Sequence, residues 1–113
     1  MTLTKKPVPK QLSPRKLYQK LSRNEPLILL DVREKWEYEI CHLSNSVNIP
    51  VSEVSSSIES LAINQEIVVI CHHGFRSMRI CCLLLQLGFD RVQNLQGGID
   101  AWSHIIDPDL PRY

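Results

Sequence analysis

The sequence predicts an α/β domain with a mostly parallel central sheet flanked by helices. Two predominantly apolar runs, residues 27–32 and 66–71, are bounded by turn-forming residues, as is typical of strands buried on both faces of a parallel sheet. Helix-like and strand-like segments alternate along the chain, and no two strand-like segments are joined by a two-residue hairpin turn. This alternation favours crossover connections between strands, and therefore a parallel sheet.

The start of the chain is predicted to be an extended arm followed by a helix. Residues 1–10 contain two prolines, so we expect an arm that ends in a short edge strand around Val8. Ser13 and Pro14 fit the N-cap and the first helical position, and the helix should end before Pro26. Its apolar face consists of Leu17, Tyr18 and Leu21.

Four segments follow up to residue 61. Residues 27–32 are predicted to form a central strand whose carboxyl end carries the sequence Asp31-Val32-Arg33. Residues 34–40 suit a short helix, and residues 47–50 suit a short strand that is stopped by proline. Residues 52–61 suit a second amphipathic helix, with an apolar face of Val54, Ile58 and Leu61.

The second half of the chain is predicted to contain two further strand–helix pairs. A strand at 66–71 leads into a helix that begins near Arg76 and is stopped by Gly88. A strand at 91–95 is followed by a tight turn and a terminal helix at 99–105. Residues 108–113 form a C-terminal tail, and we expect residues 1–113 to make up one domain.

Composition excludes several classes of function. The chain has 113 residues, of which 43% are hydrophobic and 22% charged, values ordinary for a soluble globular domain. A formal net charge of +1 gives no bulk electrostatic reason to bind nucleic acid or a membrane surface. No apolar run is long enough to span a bilayer. We expect a monomer that needs no metal and no organic cofactor.

Cysteine usage points to a reducing compartment. The four cysteines would permit two disulfides, but Cys81 and Cys82 are adjacent within a predicted apolar helix and are expected to be buried there. The first residues contain no apolar signal segment. A cytoplasmic location is therefore expected.

Cys71 is the strongest candidate for a catalytic residue. It ends an apolar, β-branched run, and a helical pattern begins within five residues of it. The positive end of the helix dipole and the N–H groups of the intervening loop both favour thiolate over thiol, and the thiolate is the nucleophile. The following segment is cationic, with Arg76 and two histidines. We infer a nucleophilic cysteine that handles an anion.

The residues after Cys71 are expected to line the substrate site. Gly74 permits a positive φ, so the loop can turn its N–H groups inward as an anion-binding nest. Arg76 either steers an anionic substrate or holds the loop through hydrogen bonds to carbonyls. It is a cation at a helix N-terminus, which is unfavourable unless another group compensates.

Other polar residues are open to a structural interpretation. His72 and His73 either donate to an anion from the loop wall or are simply exposed, and their spacing matches no zinc pattern. Asp31 and Arg33 act either as a catalytic acid and an anion clamp or, as we favour, as an ion pair that pins neighbouring loops and supports the site. The large aromatic side chains are expected to pack in the core: Trp36, Tyr38 and Trp102.

Three segments together resemble the single-domain rhodanese family of thiosulfate or persulfide sulfurtransferases. Residues 29–34 with Trp36-Glu37-Tyr38 look like the first family signature, and residues 68–77 look like its active-site loop. Residues 95–102, Leu-Gln-Gly-Gly-Ile-Asp-Ala-Trp, resemble the closing signature. The match spans nearly the whole chain, in the right order.

The resemblance implies a three-layer fold and a role for each residue of the loop. Cys71 would accept a sulfur atom and become a persulfide. The persulfide would be held by the backbone N–H groups of His72 to Arg76, and the substrate site would be lined by His72, His73, Gly74, Phe75, Arg76 and Ser77. The donor would be thiosulfate or a persulfide, and the acceptor a small thiophile or a protein cysteine.

The chain departs from the family pattern after the first signature. Two positions that are usually glycine are Cys41 and Asn45 here. Asparagine tolerates the left-handed region, so Asn45 is expected to keep the turn. Two alternatives remain open: a rhodanese-like module that binds protein or carries sulfur without turnover, and a cysteine phosphatase or arsenate reductase.

Overall fold

Five parallel strands form a central sheet in the computed structural model of the protein, which describes residues 8–113. Their order across the sheet is β1-β5-β4-β2-β3. The strands are β1 (Lys10–Leu12), β2 (Ile28–Asp31), β3 (Val47–Asn48), β4 (Ile67–Ile70) and β5 (Val92–Leu95). The predicted parallel α/β architecture is confirmed, and every strand pair is parallel.

Helices connect the strands and cover both faces of the sheet. They are α1 (Pro14–Ser22), α2 (Lys35–Ile40), α3 (Val54–Ser57), α4 (Phe75–Gln86) and α5 (Gly98–Ile105). Side chains of α3 and α4 pack on one face of the sheet, and those of α1 and α5 pack on the other. Among residues 8–113, no helix has the length and apolar composition needed to cross a bilayer.

The central strand β4 divides its side chains between two cores. Ile67 and Val69 face the core beneath α3 and α4, whereas Val68 and Ile70 face the core beneath α1 and α5. All four side chains are fully buried. Each contributes roughly 1.5–3 kcal/mol of burial free energy before the cost of chain ordering. This two-sided burial is the reason the strand reads as a continuous apolar run.

The predicted start of the first helix is confirmed. The Ser13 side chain accepts a hydrogen bond from the N–H of Lys16 at 3.2 Å, and Pro14 occupies the first turn. The edge strand is also present, but it is Lys10–Leu12, and Val8 lies outside it with its side chain exposed. The first seven residues of the predicted arm lie outside the described residues.

The helix predicted for residues 52–61 is broken into three short pieces. A 3₁₀ turn at Val51–Glu53 precedes α3, and a second 3₁₀ turn at Ile58–Ser60 follows it. Serine hydroxyls cap local carbonyls here: Ser56 donates to Glu53 O, and Ser60 donates to Ser57 O. Such bonds compete with regular helix formation, so the apolar face survives while the helix does not.

Several predicted packing positions are exposed instead. Cys82 is exposed while Cys81 is fully buried, because neighbouring helical residues differ by about 100° in direction. The same rotation exposes Trp36, at 60%, since α2 turns Glu37 inward. Tyr18 is 53% exposed, whereas Trp102 is buried as predicted.

Candidate active site

The candidate site lies at the carboxyl edge of the sheet. Cys71 directly follows β4, and Asp31 and Asn94 lie near the carboxyl ends of the flanking strands β2 and β5. Because the carboxyl ends of parallel strands meet at one edge, these three side chains are brought to the same place. The sequence predicted this for Cys71 and Asp31 and missed Asn94.

The loop from Cys71 to Gly74 folds back on the cysteine sulfur. Gly74 has φ +99°, which is in the left-handed region, and its N–H donates to Cys71 Sγ at 3.0 Å. Gly74 is also the N-cap of α4, so the sulfur lies at the N-terminus of a helix of 12 residues. Both the glycine turn and the helix start predicted from the sequence are therefore present.

The N-terminus of α5 orients the other peptide groups of this loop. The N–H of Ile99 donates to Cys71 O at 2.9 Å, and the N–H of Asp100 donates to His72 O at 3.0 Å. In a trans peptide the N–H points opposite to the C=O, so the N–H groups of His72 and His73 point away from α5. Neither group has a protein acceptor within residues 8–113. The loop thus presents free backbone donors beside a buried sulfur.

Gly98 allows the N-terminus of α5 to lie close to the loop that follows Cys71. It has φ +64°, and a Cβ atom at this position would collide with the carbonyl oxygens of Cys71 and His72. A larger residue would push α5 away from the loop and release both carbonyls. Gly98 of the closing signature therefore allows α5 to pack directly against the cysteine loop.

Arg76 is held by a carboxylate and not by loop carbonyls. Its guanidinium donates to both carboxylate oxygens of Glu37, at 2.6 and 2.8 Å. Hydrogen bonding from Arg76 is the main cause that lowers the pKa of Glu37 to about 2, and the same bonds raise the pKa of Arg76. Glu37 supplies the compensation that a cation at a helix N-terminus requires, and the pair joins α2 to α4.

Tyr113 closes one side of the site. Its hydroxyl donates to Glu37 Oε2 at 2.7 Å and accepts from Arg33 Nη1 at 2.9 Å. Its ring stacks on His72 with 4.1 Å between centroids, and meets the edge of Trp36 at 5.9 Å. Burial is the main cause that raises the pKa of Tyr113 to about 12. Nothing in the tail sequence signals this role.

Ser77 contacts the cysteine, and Asn94 holds Ser77 and Gly74. Ser77 Oγ lies 3.2 Å from Cys71 Sγ and donates a hydrogen bond to Asn94 Oδ1. Asn94 Nδ2 donates in turn to Gly74 O at 3.2 Å and to Gln11 Oε1 at 3.0 Å. A polar residue inside a buried strand of a parallel sheet was the available signal for Asn94.

Asp31 and Arg33 form a buried pair that supports the neighbouring loops. Arg33 Nη2 donates to Asp31 Oδ2 at 2.7 Å and to Cys41 O at 2.6 Å, and the Arg33 side chain is fully buried. Burial alone would lower the pKa of Arg33, but its hydrogen bonds to Asp31 and Tyr113 raise it. The expected ion pair is present, and Arg33 also binds the carbonyl of Cys41.

The two unusual positions after the first signature have simple conformations. Asn45 has φ +64°, so it occupies the left-handed region as predicted. Cys41 is extended, with φ −164° and ψ 149°, and this conformation needs no glycine. Its carbonyl accepts from Arg33, so the substitution leaves the support of the site intact.

The remaining loop side chains form the rim of the site. Phe75 is 80% exposed and His73 is also exposed, whereas burial is the main cause that lowers the pKa of His72. Ligating atoms of His72, His73 and Asp100 lie within 4.8 Å of one another. However, the two histidine rings stack at 4.1 Å and 19°, so their in-plane lone pairs run side by side instead of converging. We assign no metal to this cluster.

Fold and site together define a class: a parallel α/β protein with a buried cysteine in a loop of backbone donors, between a central strand and a helix. The sequence profile of the Rhodanese-like domain family matches residues 13–105. The chain belongs to this family, as the three signature segments indicated.

Individual relatives support the assignment. Adenylyltransferase and sulfurtransferase uba4 of Aspergillus fumigatus is 35% identical over 80% of this chain, which spans 24% of that protein. "Putative sulfur carrier protein YrkF" of Bacillus subtilis is 40% identical over 75% of this chain and 46% of its own length. The crystal structure of a rhodanese-related protein from Thermoplasma volcanium superposes with a TM-score of 0.76 at 32% identity, covering 90% of this chain and 95% of that one. The chain is thus homologous to sulfurtransferase and sulfur-carrier domains.

Proposed function

We propose that the protein is a sulfurtransferase that moves a sulfane sulfur through a persulfide on Cys71. The observation that carries this proposal is the environment of Cys71 Sγ. The sulfur receives the N–H of Gly74 at 3.0 Å, and the N–H groups of His72 and His73 beside it have no protein acceptor within residues 8–113. A ring of fixed donors stabilises negative charge on a terminal sulfur without reorganisation.

The proposed reaction proceeds in two displacement steps. The Cys71 thiolate attacks the outer sulfur of thiosulfate, a new S–S bond forms, and sulfite leaves with the electron pair of the broken S–S bond. With a persulfide donor, a thiolate leaves instead. A thiophilic acceptor then attacks the terminal sulfur, and the Cys71 thiolate departs with the electron pair. Neither step needs an external oxidant, a metal or an organic cofactor.

The pairing of Arg76 defines its proposed role. Because two of its N–H groups bind the carboxylate of Glu37, we assign Arg76 the role of holding the start of α4 against α2. The recognition of an anionic sulfur donor then rests on the backbone N–H groups of the loop.

A second candidate is a sulfur carrier that is loaded but does not turn over small substrates. The exposed rim favours it: the ring of Phe75 is 80% exposed and that of Trp36 is 60% exposed, which suits contact with a polypeptide. YrkF, which bears a sulfur-carrier name, is a relative with 40% identity. In this case the acceptor is a protein cysteine.

Intact mass and turnover separate these functions. After exposure to thiosulfate, the wild type should gain one sulfur atom, and Cys71→Ser should gain none while keeping its fold. With excess thiosulfate present, a sulfurtransferase should release thiocyanate from cyanide with continued turnover, whereas the sulfur loaded on a carrier should stay on Cys71 in cyanide and leave only when a protein thiol is added. The matched control is Cys82→Ser, which changes an exposed cysteine outside the loop and should load normally.

The same preparations test the phosphatase alternative. In cysteine phosphatases of similar architecture the arginine lies one residue farther from the cysteine, where Ser77 stands here. The shorter loop suits one terminal sulfur and crowds a phosphoryl group. Hydrolysis of aryl phosphates at neutral pH should be negligible. Phosphate release that depends on Cys71, without sulfur loading, would overturn the proposed function.

A further inference from the structure

The hydroxyl of Ser77 has two acceptors and only one hydrogen. It lies 3.2 Å from Cys71 Sγ and within hydrogen-bond distance of Asn94 Oδ1. Both Ser77 and Asn94 are buried, at 0% and 1% exposure, so water cannot replace a lost partner cheaply. Which acceptor receives the hydrogen decides whether Ser77 stabilises the ionised sulfur.

The orientation of the Asn94 amide settles this choice. Asn94 Nδ2 lies 3.2 Å from Gly74 O, and a backbone carbonyl oxygen can only accept a hydrogen bond. The amide therefore turns its nitrogen to Gly74 and its oxygen to Ser77. Gln11 Oε1 takes the second amide hydrogen at 3.0 Å. Asn94 Oδ1 is an acceptor with the hydroxyl of Ser77 as its donor, so the hydrogen of Ser77 points at Asn94.

The consequence falls on Cys71. With its hydrogen directed at Asn94, Ser77 presents lone pairs to Sγ and gives no hydrogen bond to the thiolate. Donating to the thiolate would break the bond to Asn94 Oδ1 and leave that buried acceptor without a donor. The thiolate is then held by backbone donors alone, above all the N–H of Gly74.

Other charged and titratable groups near Cys71 lie on the elements packed around it. Arg76 at the start of α4 is paired with Glu37 of α2, Cys81 lies deeper in α4, and His72 follows in the loop. Coulombic interaction with Cys71 is one of the lesser causes that raise the pKa of Arg76 and the pKa of Cys81. Within residues 8–113, none of these groups is hydrogen-bonded to Ser77 or Asn94, so a change at Ser77 leaves their contacts in place.

We propose that Asn94 is a positioning residue that keeps the hydrogen of Ser77 away from the Cys71 thiolate. A thiolate with fewer hydrogen bonds is a stronger nucleophile, and a neutral bridging sulfur in the persulfide needs no donor from Ser77. Asn94 thereby favours sulfur capture over storage of a stabilised thiolate. The inference rests on Cys71 as the nucleophile of the proposed function.

The test is the pH profile of alkylation of Cys71 by iodoacetamide, followed by peptide mass in a Cys82→Ser background. Alkylation requires no sulfur transfer, so its outcome is independent of the proposed function. Ser77→Ala removes a hydroxyl that gives no hydrogen bond to the thiolate, so the midpoint of the profile should not rise by more than about 0.3 pH units. A larger shift to higher pH would mean that Ser77 donates to the thiolate, and would overturn the proposal.

Asn94→Leu is expected to lower the midpoint of the alkylation profile. Without its acceptor, the Ser77 hydroxyl turns to the sulfur, and the midpoint should fall by about one pH unit, with a slower limiting rate for the thiolate. The double variant Ser77→Ala/Asn94→Leu should return the midpoint to that of Ser77→Ala. A fall that persists in the double variant would come from the lost Gly74 contact and would refute the role of the hydroxyl. Should Asn94→Leu not fold, Ser77→Ala alone decides.

Discussion

Replacing Glu37 with glutamine should remove stability that depends on pH. Glu37 is almost fully buried, and its pKa is lowered from 4.5 to about 2, chiefly by the hydrogen bonds from Arg76. A shift of this size corresponds to about 3 kcal/mol at neutral pH. Because the Arg76 side chain is 40% exposed, solvent screening reduces the expected loss to about 1.5–2 kcal/mol.

The direction of the pH dependence follows from the lowered pKa of Glu37. The carboxylate stabilises the folded state fully above its unfolded value of 4.5, and this contribution is lost as the pH falls toward about 2. The free energy of unfolding, measured by urea titration, should therefore differ between wild type and Glu37→Gln at neutral pH. The difference should shrink toward zero near the acid end of that window.

Two variants serve as controls for this measurement. Glu39→Gln makes the same charge change at an exposed position of α2 and should leave the free energy of unfolding within about 0.5 kcal/mol of wild type. Arg76→Gln removes the other partner and should reproduce the loss of pH dependence. Parallel unfolding curves for wild type and Glu37→Gln across the acid range would refute the assignment of this stability to the ion pair.

Two further predictions concern the elements around the loop. Tyr113→Phe should remove a loss of stability at alkaline pH. Because the pKa of Tyr113 is raised from 10.0 to about 12, the wild type should lose stability as the pH rises from about 10 toward 12, and the variant should not. Thermal melts recorded across this pH range measure the difference. An identical alkaline decline in both proteins would contradict this. Gly98→Ala should cost roughly 2–4 kcal/mol and abolish persulfide loading, because its Cβ collides with the loop carbonyls. Gly88→Ala, at φ +99° with no neighbour within 4 Å, should cost about 1 kcal/mol and load normally, and equal losses in the two variants would exclude a role for the collision.

Much of the fold could be predicted because its signals are local. Continuous apolar runs marked β2 and β4, and Ser13 with Pro14 marked the start of α1. These signals depend on periodicity and on capping chemistry within a few residues, which the sequence contains in full. The single helix predicted for residues 52–61 was wrong because serine side chains form hydrogen bonds with nearby backbone carbonyls. A pattern of apolar residues contains no information about this competition.

The same distinction between local signals and tertiary contacts applies to the candidate site. The sequence alone determined Cys71, the glycine turn after it and the helix that begins beyond it, because strand, turn and helix are contiguous in the chain. Only the tertiary structure decided what those groups touch. Arg76 meets Glu37 39 residues away, Ser77 meets Asn94 17 residues away, and Tyr113 reaches Arg33 across 80 residues. Such partners are chosen by the order of strands in the sheet and by the packing of α2, α5 and the tail around its carboxyl edge. A local sequence pattern cannot specify contacts between residues that are far apart in the chain and meet only in the folded structure.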